Sequence, residues 1–214
     1  MADWVTISAL ATAGGTLVLA GATFSAVRSA NRSARIADQA LQEQRRPLLV
    51  SARLDDPPQK VMFANGHAIR AEGSEAVIDE VDGTLYLAIP LRNAGSGIAV
   101  LQGWHIWPEL TNSLVDHPPP EDFRRQIRDI YIASGDLGIW QGSLREADAA
   151  RNDIAAAHAE RRSLSIDLLY SDQVGGHSTI SRFAVMPAGD ERWLSYVGLH
   201  WNLDEPGGER WGRR

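Results

Sequence analysis

At 214 residues the chain is long enough for one good-sized domain and an appendage, and its 44% hydrophobic content is that of a folded protein. A formal net charge of −6 argues against nucleic acid as a partner, which calls for a basic face. With no cysteine there is no disulfide framework, no thiolate metal ligand and no thiol nucleophile.

From Trp4 to Val27, WVTISALATAGGTLVLAGATFSAV, no residue is charged. As a helix this stretch extends about 36 Å against roughly 30 Å of bilayer hydrocarbon, so its length predicts a single membrane span. A cleaved signal peptide is one rival, with Ala20-Gly21-Ala22 as its small-residue site. Its leading region should be basic, however, and here it holds Asp3. A buried or self-associating helix is the other rival.

Arg28, Arg32, Arg35, Arg45 and Arg46 follow. The positive-inside rule then predicts a single-pass inner-membrane protein with its N-terminus outside and its bulk in the cytoplasm. Arg28, Arg32 and Arg35 share one helical face and are candidate contacts for lipid headgroups; a plain solvated face fits them equally well. Small residues four apart, such as Ala9/Ala13 and Gly21/Ser25, allow close helix–helix approach and hence self-association. Good helix formers carry the helix on as a juxtamembrane stalk, and Pro47 ends it, giving a first domain of residues 1–46.

After Pro47 come short runs rich in Val, Ile, Leu, Tyr and Trp, separated by turn residues, which predict an antiparallel β-sandwich over residues 47–204. An immunoglobulin-like strand order is among the forms open to it. The runs are LLVSARL (48–54), KVMFA (60–64), TLYLAIPLRN (84–93), IAVLQGWHIW (98–107), RDIYIA (128–133), LGIWQGSL (137–144), SLSIDLLYS (163–171), STISRFAVM (178–186) and RWLSYVGLHWN (192–202). In SLSIDLLY, Leu164, Ile166 and Leu168 alternate with Ser163, Ser165 and Asp167, as a sheet with one buried face requires. The acidic run EAVIDEVDG (75–83) reads as a solvated lead-in to a strand. HPPPED (117–122) reads as a stiff spacer, and READAARNDIAAAHAERR (145–162) as one inserted helix. Residues 205–214 read as a flexible tail.

Between two of these strands lies Gly95-Ser96-Gly97. A phosphate-binding loop needs a glycine fingerprint that opens a helix, whereas this one runs into the β-branched, aromatic IAVLQGWHIW. A nucleophile elbow needs glycine where Ala94 stands. The loop therefore reads as a strand connection or bulge.

Six histidines are scattered without a metal-ligand spacing, so neither metal nor cofactor is expected, and no catalytic set is complete. His105 and His200 each adjoin a tryptophan, in WHIW and GLHW. If Trp104 and Trp201 both face the core, both histidines face outward and converge on a candidate binding patch, to which Gln173, Gly175 and Gly176 of the DQVGG turn add; ordinary exposed histidines fit as well. FRRQIR (123–128) gathers Arg124, Arg125 and Arg128 into a local basic patch for lipid, an acidic partner or solvent.

At LRNAGSGIAVLQGW, IYIASGDLGIWQGSL and LLYSDQVGGHSTISRF the chain resembles uncharacterised actinobacterial proteins that carry an N-terminal membrane segment and a β-rich domain. The resemblance covers most of the body; it implies that architecture and no activity or residue role. The leading expectation is a membrane-anchored protein whose β-sandwich is an interaction or scaffolding module. Its expected partners are membrane lipid through the helix, an unidentified protein and a second copy through the helix, with no nucleic acid. A small-molecule sensor is the alternative, and a hydrolase built from distant Ser, His and Asp residues a third reading.

Overall fold

A computed structural model describes residues 4–43, 45–112, 116–189 and 191–204. The tail expected from residue 205 onward, Trp211 included, lies outside the described residues. The chain divides into two compact units, Met1–Gln44 and Arg45–Arg214.

The first unit is a helix, α1 (Trp4–Glu43). It does not support the expected membrane span: among the described residues no helix is long and apolar enough to cross a membrane. Length was the basis of that expectation, and composition undoes it. Alanine, threonine, serine and glycine dilute Leu17, Val18, Leu19, Phe24 and Val27 below what a bilayer core demands. The hydroxyls of Thr16, Thr23 and Ser25 fold back onto the carbonyls of Thr12, Leu19 and Ala22, each at 2.8 Å. Arg28, Arg32 and Arg35 are exposed along α1.

The second unit runs β1 (Leu49–Ser51), β2 (Gln59–Met62), β3 (Ala68–Ala71), β4 (Glu75–Val81), β5 (Thr84–Asn93), β6 (Ala99–Trp107), β7 (Arg124–Ile132), β8 (Leu137–Leu144), α2 (Arg151–Ala159), β9 (Leu164–Ser171), β10 (Ser178–Ala188) and β11 (Arg192–Asn202). The mainly β, antiparallel architecture is as expected. Two separate facing sheets are not seen. The strands form one curled sheet in the order β1-β5-β4-β11-β10-β9-β6-β7, with β8 on the other edge of β5. The join is short: the β4–β11 ladder consists of Ala76–Trp193 and Glu75–Leu194 among the described residues. β2 and β3 form their own hairpin, which lays Phe63 and Ile69 against Tyr86 and Ala88.

The main core fills the concave side of the sheet. Leu85, Leu87 and Ile89 from β5 meet Trp104 from β6, Trp140 from β8, Ile166 and Leu168 from β9 and Phe183 from β10. The inserted helix is shorter than its alanine-rich sequence predicts. It buries Ile154 and Ala157 in the same core, while residues before Arg151 are held in a turn by the Asp148 carboxylate on the Arg145 N–H at 2.6 Å. EAVIDEV is itself a strand, with Ala76 and Ile78 turned inward and Glu75 and Asp79 on the opposite face.

The Gly95-Ser96-Gly97 loop is a junction of the fold. Asn93, fully buried at the end of β5, accepts on Oδ1 from the N–H groups of Leu48 (3.1 Å) and Gly95 (3.0 Å). Its Nδ2 donates to the carbonyls of Gly97 (2.6 Å) and Ile132 (2.9 Å). The incoming chain crosses directly over this loop. A Cβ on Gly95 would strike Leu48 N and the Arg46 carbonyl, and one on Gly97 would overlap the Arg45 carbonyl. These glycines are required by the protein's own backbone, which occupies the space a ligand would need.

Asn93→Ala strands two backbone donors and two acceptors and should lower unfolding free energy by about 3 kcal/mol or more. Gly97→Ala should cost about 2 kcal/mol or more through overpacking. Urea denaturation of the full chain checks both, as a lower midpoint with an unchanged slope.

Candidate functional site

The residues of the histidine patch are not brought together. Trp104 belongs to the concave core, so His105 lies on the convex face, against Trp107 (ring centroids 4.6 Å) and Phe123 (6.3 Å). His200 faces the other way. A bulge sets Phe183 opposite Val197 and Arg182 opposite Leu199, leaving Gly198 as the extra residue in β11. One extra residue inverts the alternation, so Trp193 is in the concave core while Leu199 and Trp201 pack on the convex side with Phe123, Leu169 and Ile180. Gln173, Gly175 and Gly176 sit at the tip of the β9–β10 hairpin. There Asp172 Oδ1 accepts from the N–H groups of Val174 and Gly176, at 3.2 and 2.8 Å, and shapes the turn.

His200 instead ends a buried hydrogen-bond chain. The Leu49 N–H donates to the Tyr170 hydroxyl (3.2 Å), which lies 2.8 Å from Ser181 Oγ, itself 2.7 Å from His200 Nδ1. Tyr170 accepts from Leu49 and is free to donate to Ser181, and Ser181 in turn to Nδ1, a direction that suits a neutral imidazole at His200. Burial pushes His200 down to about 4 and Tyr170 up to about 12, the latter against the Ser181 hydrogen bond. Burial also lowers His105, against the pull of Asp167.

The convex face is not solvent either. Asp167, expected to point to water, is fully buried, and all of β9 is buried on both faces. The β6–β7 connection covers it: the Thr111 N–H bonds Ser165 Oγ at 2.9 Å, and His117 packs on Trp201 at 5.5 Å. Beneath this cover Arg182 forks onto Asp167 through Nε–Oδ1 and Nη2–Oδ2, both 2.7 Å. Its guanidinium lies 4.9 Å from the Trp201 ring and 5.6 Å from that of Trp107, whose Nε1 also donates to Asp167 at 3.0 Å. The sequence signal was a lone charge in the middle of each of two apolar strands, SIDLL and ISRFAV.

A cleft of about 590 Å³ opens where β7 leaves the sheet. Leu101 pairs with Ile130 and Gly103 with Arg125, so Gln126 to Asp129 stand opposite the single Gln102, and β7 bows outward. Across the gap lie Gln141, Gly142 and Ser143 of β8, with Trp104 and Tyr86 among the lining aromatics. Gly142 is required here, because a Cβ would strike the Trp140 ring at 2.7 Å.

Four arginines line the cleft, Arg124, Arg125, Arg128 and Arg145, against one carboxylate, Asp148. Arg124 binds Asp148 through both guanidinium ends, at 2.8 and 3.1 Å, and lies 5.4 Å from the Trp104 ring. Burial alone would raise the Asp148 carboxyl, but Arg124 and the Arg145 N–H take it below the ordinary carboxylate range. Arg125 and Arg128 have no ion-pair or hydrogen-bond partner among the described residues. FRRQIR announced three of the four arginines; Arg145 follows the end of β8, and Tyr86 and Trp104 of the aromatic floor come from β5 and β6. No group of acidic and histidine side chains among the described residues could hold a metal ion. No protein-family model, curated protein or solved structure matches the chain, so the roles of its residues follow from its own geometry.

Because the folded state holds His200 below the ordinary imidazole value of about 6.5, the unfolded chain binds the extra proton between that value and about 4. Stability from this group is therefore full above pH 6.5 and declines as pH falls toward 4, by roughly 3 kcal/mol at most. His200→Asn, which keeps an acceptor for Ser181, should flatten that slope in urea titrations at pH 7 and pH 4.5.

Proposed function

We propose that the Arg45–Asp204 unit is a recognition module whose partner carries negative charge and binds in the cleft between β7 and β8. The observation that carries this reading is the concentration of four arginines against one carboxylate over an aromatic floor, in a chain of net charge −6. Two of those arginines spend no charge on the protein itself. An anion entering the cleft meets them with little rearrangement, and the low-dielectric floor strengthens the attraction. The interaction-module reading draws on the same cleft, as does the ligand-sensor reading, since its volume falls within the range of small-molecule sites.

The hydrolase reading has one feature in its favour, the hydroxyl of Ser181 beside His200 Nδ1. Ser181 is fully buried, and neither residue lines the cleft. A nucleophile sealed under the sheet meets no substrate, so this pair is a structural tie.

Calorimetric titration of the full chain with pyrophosphate and with citrate tests the proposal. Binding should weaken as salt rises, and the double variant Arg125→Glu/Arg128→Glu should weaken it at least tenfold while leaving the urea midpoint within error. Equal affinity of the double variant and the parent would sink the assignment of the site.

A further inference from the structure

We infer that the occupant of the cleft is an extended acidic peptide segment, laid in as an added strand between β7 and β8; this rests on the anion-recognition reading of the cleft. β7 has one ladder partner, β6, and β8 has one, β5, so the two strands turn unladdered edges toward each other. In an antiparallel strand alternate backbone N–H and C=O groups point to each side, so each open edge offers half of its backbone groups to the gap. One of these is already engaged in the way a strand would engage it: Gln126 Nε2 donates across the gap to the Gln141 carbonyl at 3.1 Å.

The side-chain acceptors of the same two residues are left over. Gln126 Oε1 and Gln141 Oε1 are both buried and have no hydrogen-bond partner among the described residues. Buried acceptors call for donors, and a simple anion such as phosphate or citrate brings negative charge with no more than an isolated O–H and no row of N–H groups. A peptide brings both: N–H groups for the open edges and the glutamine oxygens, and carboxylates for Arg125 and Arg128. The rim supplies an apolar contact as well, since Ile127 is 87% exposed on β7. Ile127 and Arg128 fall on opposite faces of β7, so a segment in which acidic and apolar side chains alternate matches this surface with its acidic face on Arg128 and its apolar face along Ile127.

The test uses the full chain and a labelled octapeptide alternating glutamate and valine, with fluorescence anisotropy as the readout. A second peptide of the same sequence carries N-methyl groups on alternate nitrogens, which removes strand donors while keeping every charge. Strand addition predicts binding of the first peptide, at least tenfold weaker binding of the methylated one, and at least tenfold weaker binding to Arg125→Glu/Arg128→Glu. Equal binding of the two peptides overturns strand addition and leaves the anion site standing. Failure of the peptide where pyrophosphate binds overturns the peptide as occupant, again sparing the site. Failure of peptide, pyrophosphate and citrate together overturns both readings.

Discussion

The Asn93 carboxamide ties together backbone from the chain entering β1, the loop that opens β6 and the end of β7, the first of these 45 positions away in sequence. All of its hydrogen-bonding capacity is spent on main-chain groups that would otherwise be buried without partners. Because Gly95 and Gly97 let the incoming backbone lie directly on the loop, the start of the β unit is clamped onto its middle. The alignment of β5 with β1, the departure of β6 and the arrival of β7 are all set there. The bow in β7 and the cleft beside it are therefore framed by a rigid corner.

The convex face shows a second economy. An antiparallel sheet ordinarily spends one face on water, and β9 here spends neither. The described residues of the connection between β6 and β7 convert the convex side into a second apolar layer around Trp201. A forked ion pair held between two indoles is a demanding thing to bury, since each charge loses its hydration. Its geometry restores much of that loss through two short hydrogen bonds and two cation–π contacts. Such a pair contributes less to net stability than to uniqueness, because a register slip of β9 against β10 would separate Arg182 from Asp167.

Local chemistry made most of the strands legible. Runs of β-branched and aromatic residues between turn residues located β5, β6 and β8 to β11, and the failure of the glycine loop to open a helix was readable from IAVLQGW alone. Position relative to the two faces was not legible. Gly198 and Gln102 each insert a residue that reverses alternation, and nothing in RWLSYVGLHWN separates Gly198 from an ordinary strand glycine. The Gly198 bulge is why His105 and His200 part company, whereas Asp167 is covered by the β6–β7 connection, which no strand pattern announces. The expected span lacks support for another reason, since freedom from charge is a weaker condition than apolarity, and α1 meets only the first. At the cleft, FRRQIR was visible as a basic cluster, but its meaning depends on an aromatic floor and on open edges that appear only once non-adjacent strands meet.

A curled sheet that stops one ladder short of closure keeps a strand-pairing capacity it does not use on itself. Exposed edges of this kind are where β proteins commonly join copies of themselves into aggregates. Here the bowed edge carries Arg125 and Arg128 without ion-pair partners among the described residues, so a second identical edge brings these like charges toward one another. The same residues that would welcome an acidic strand thus repel the protein's own, and selectivity between guest and sibling is written into the sign of one edge.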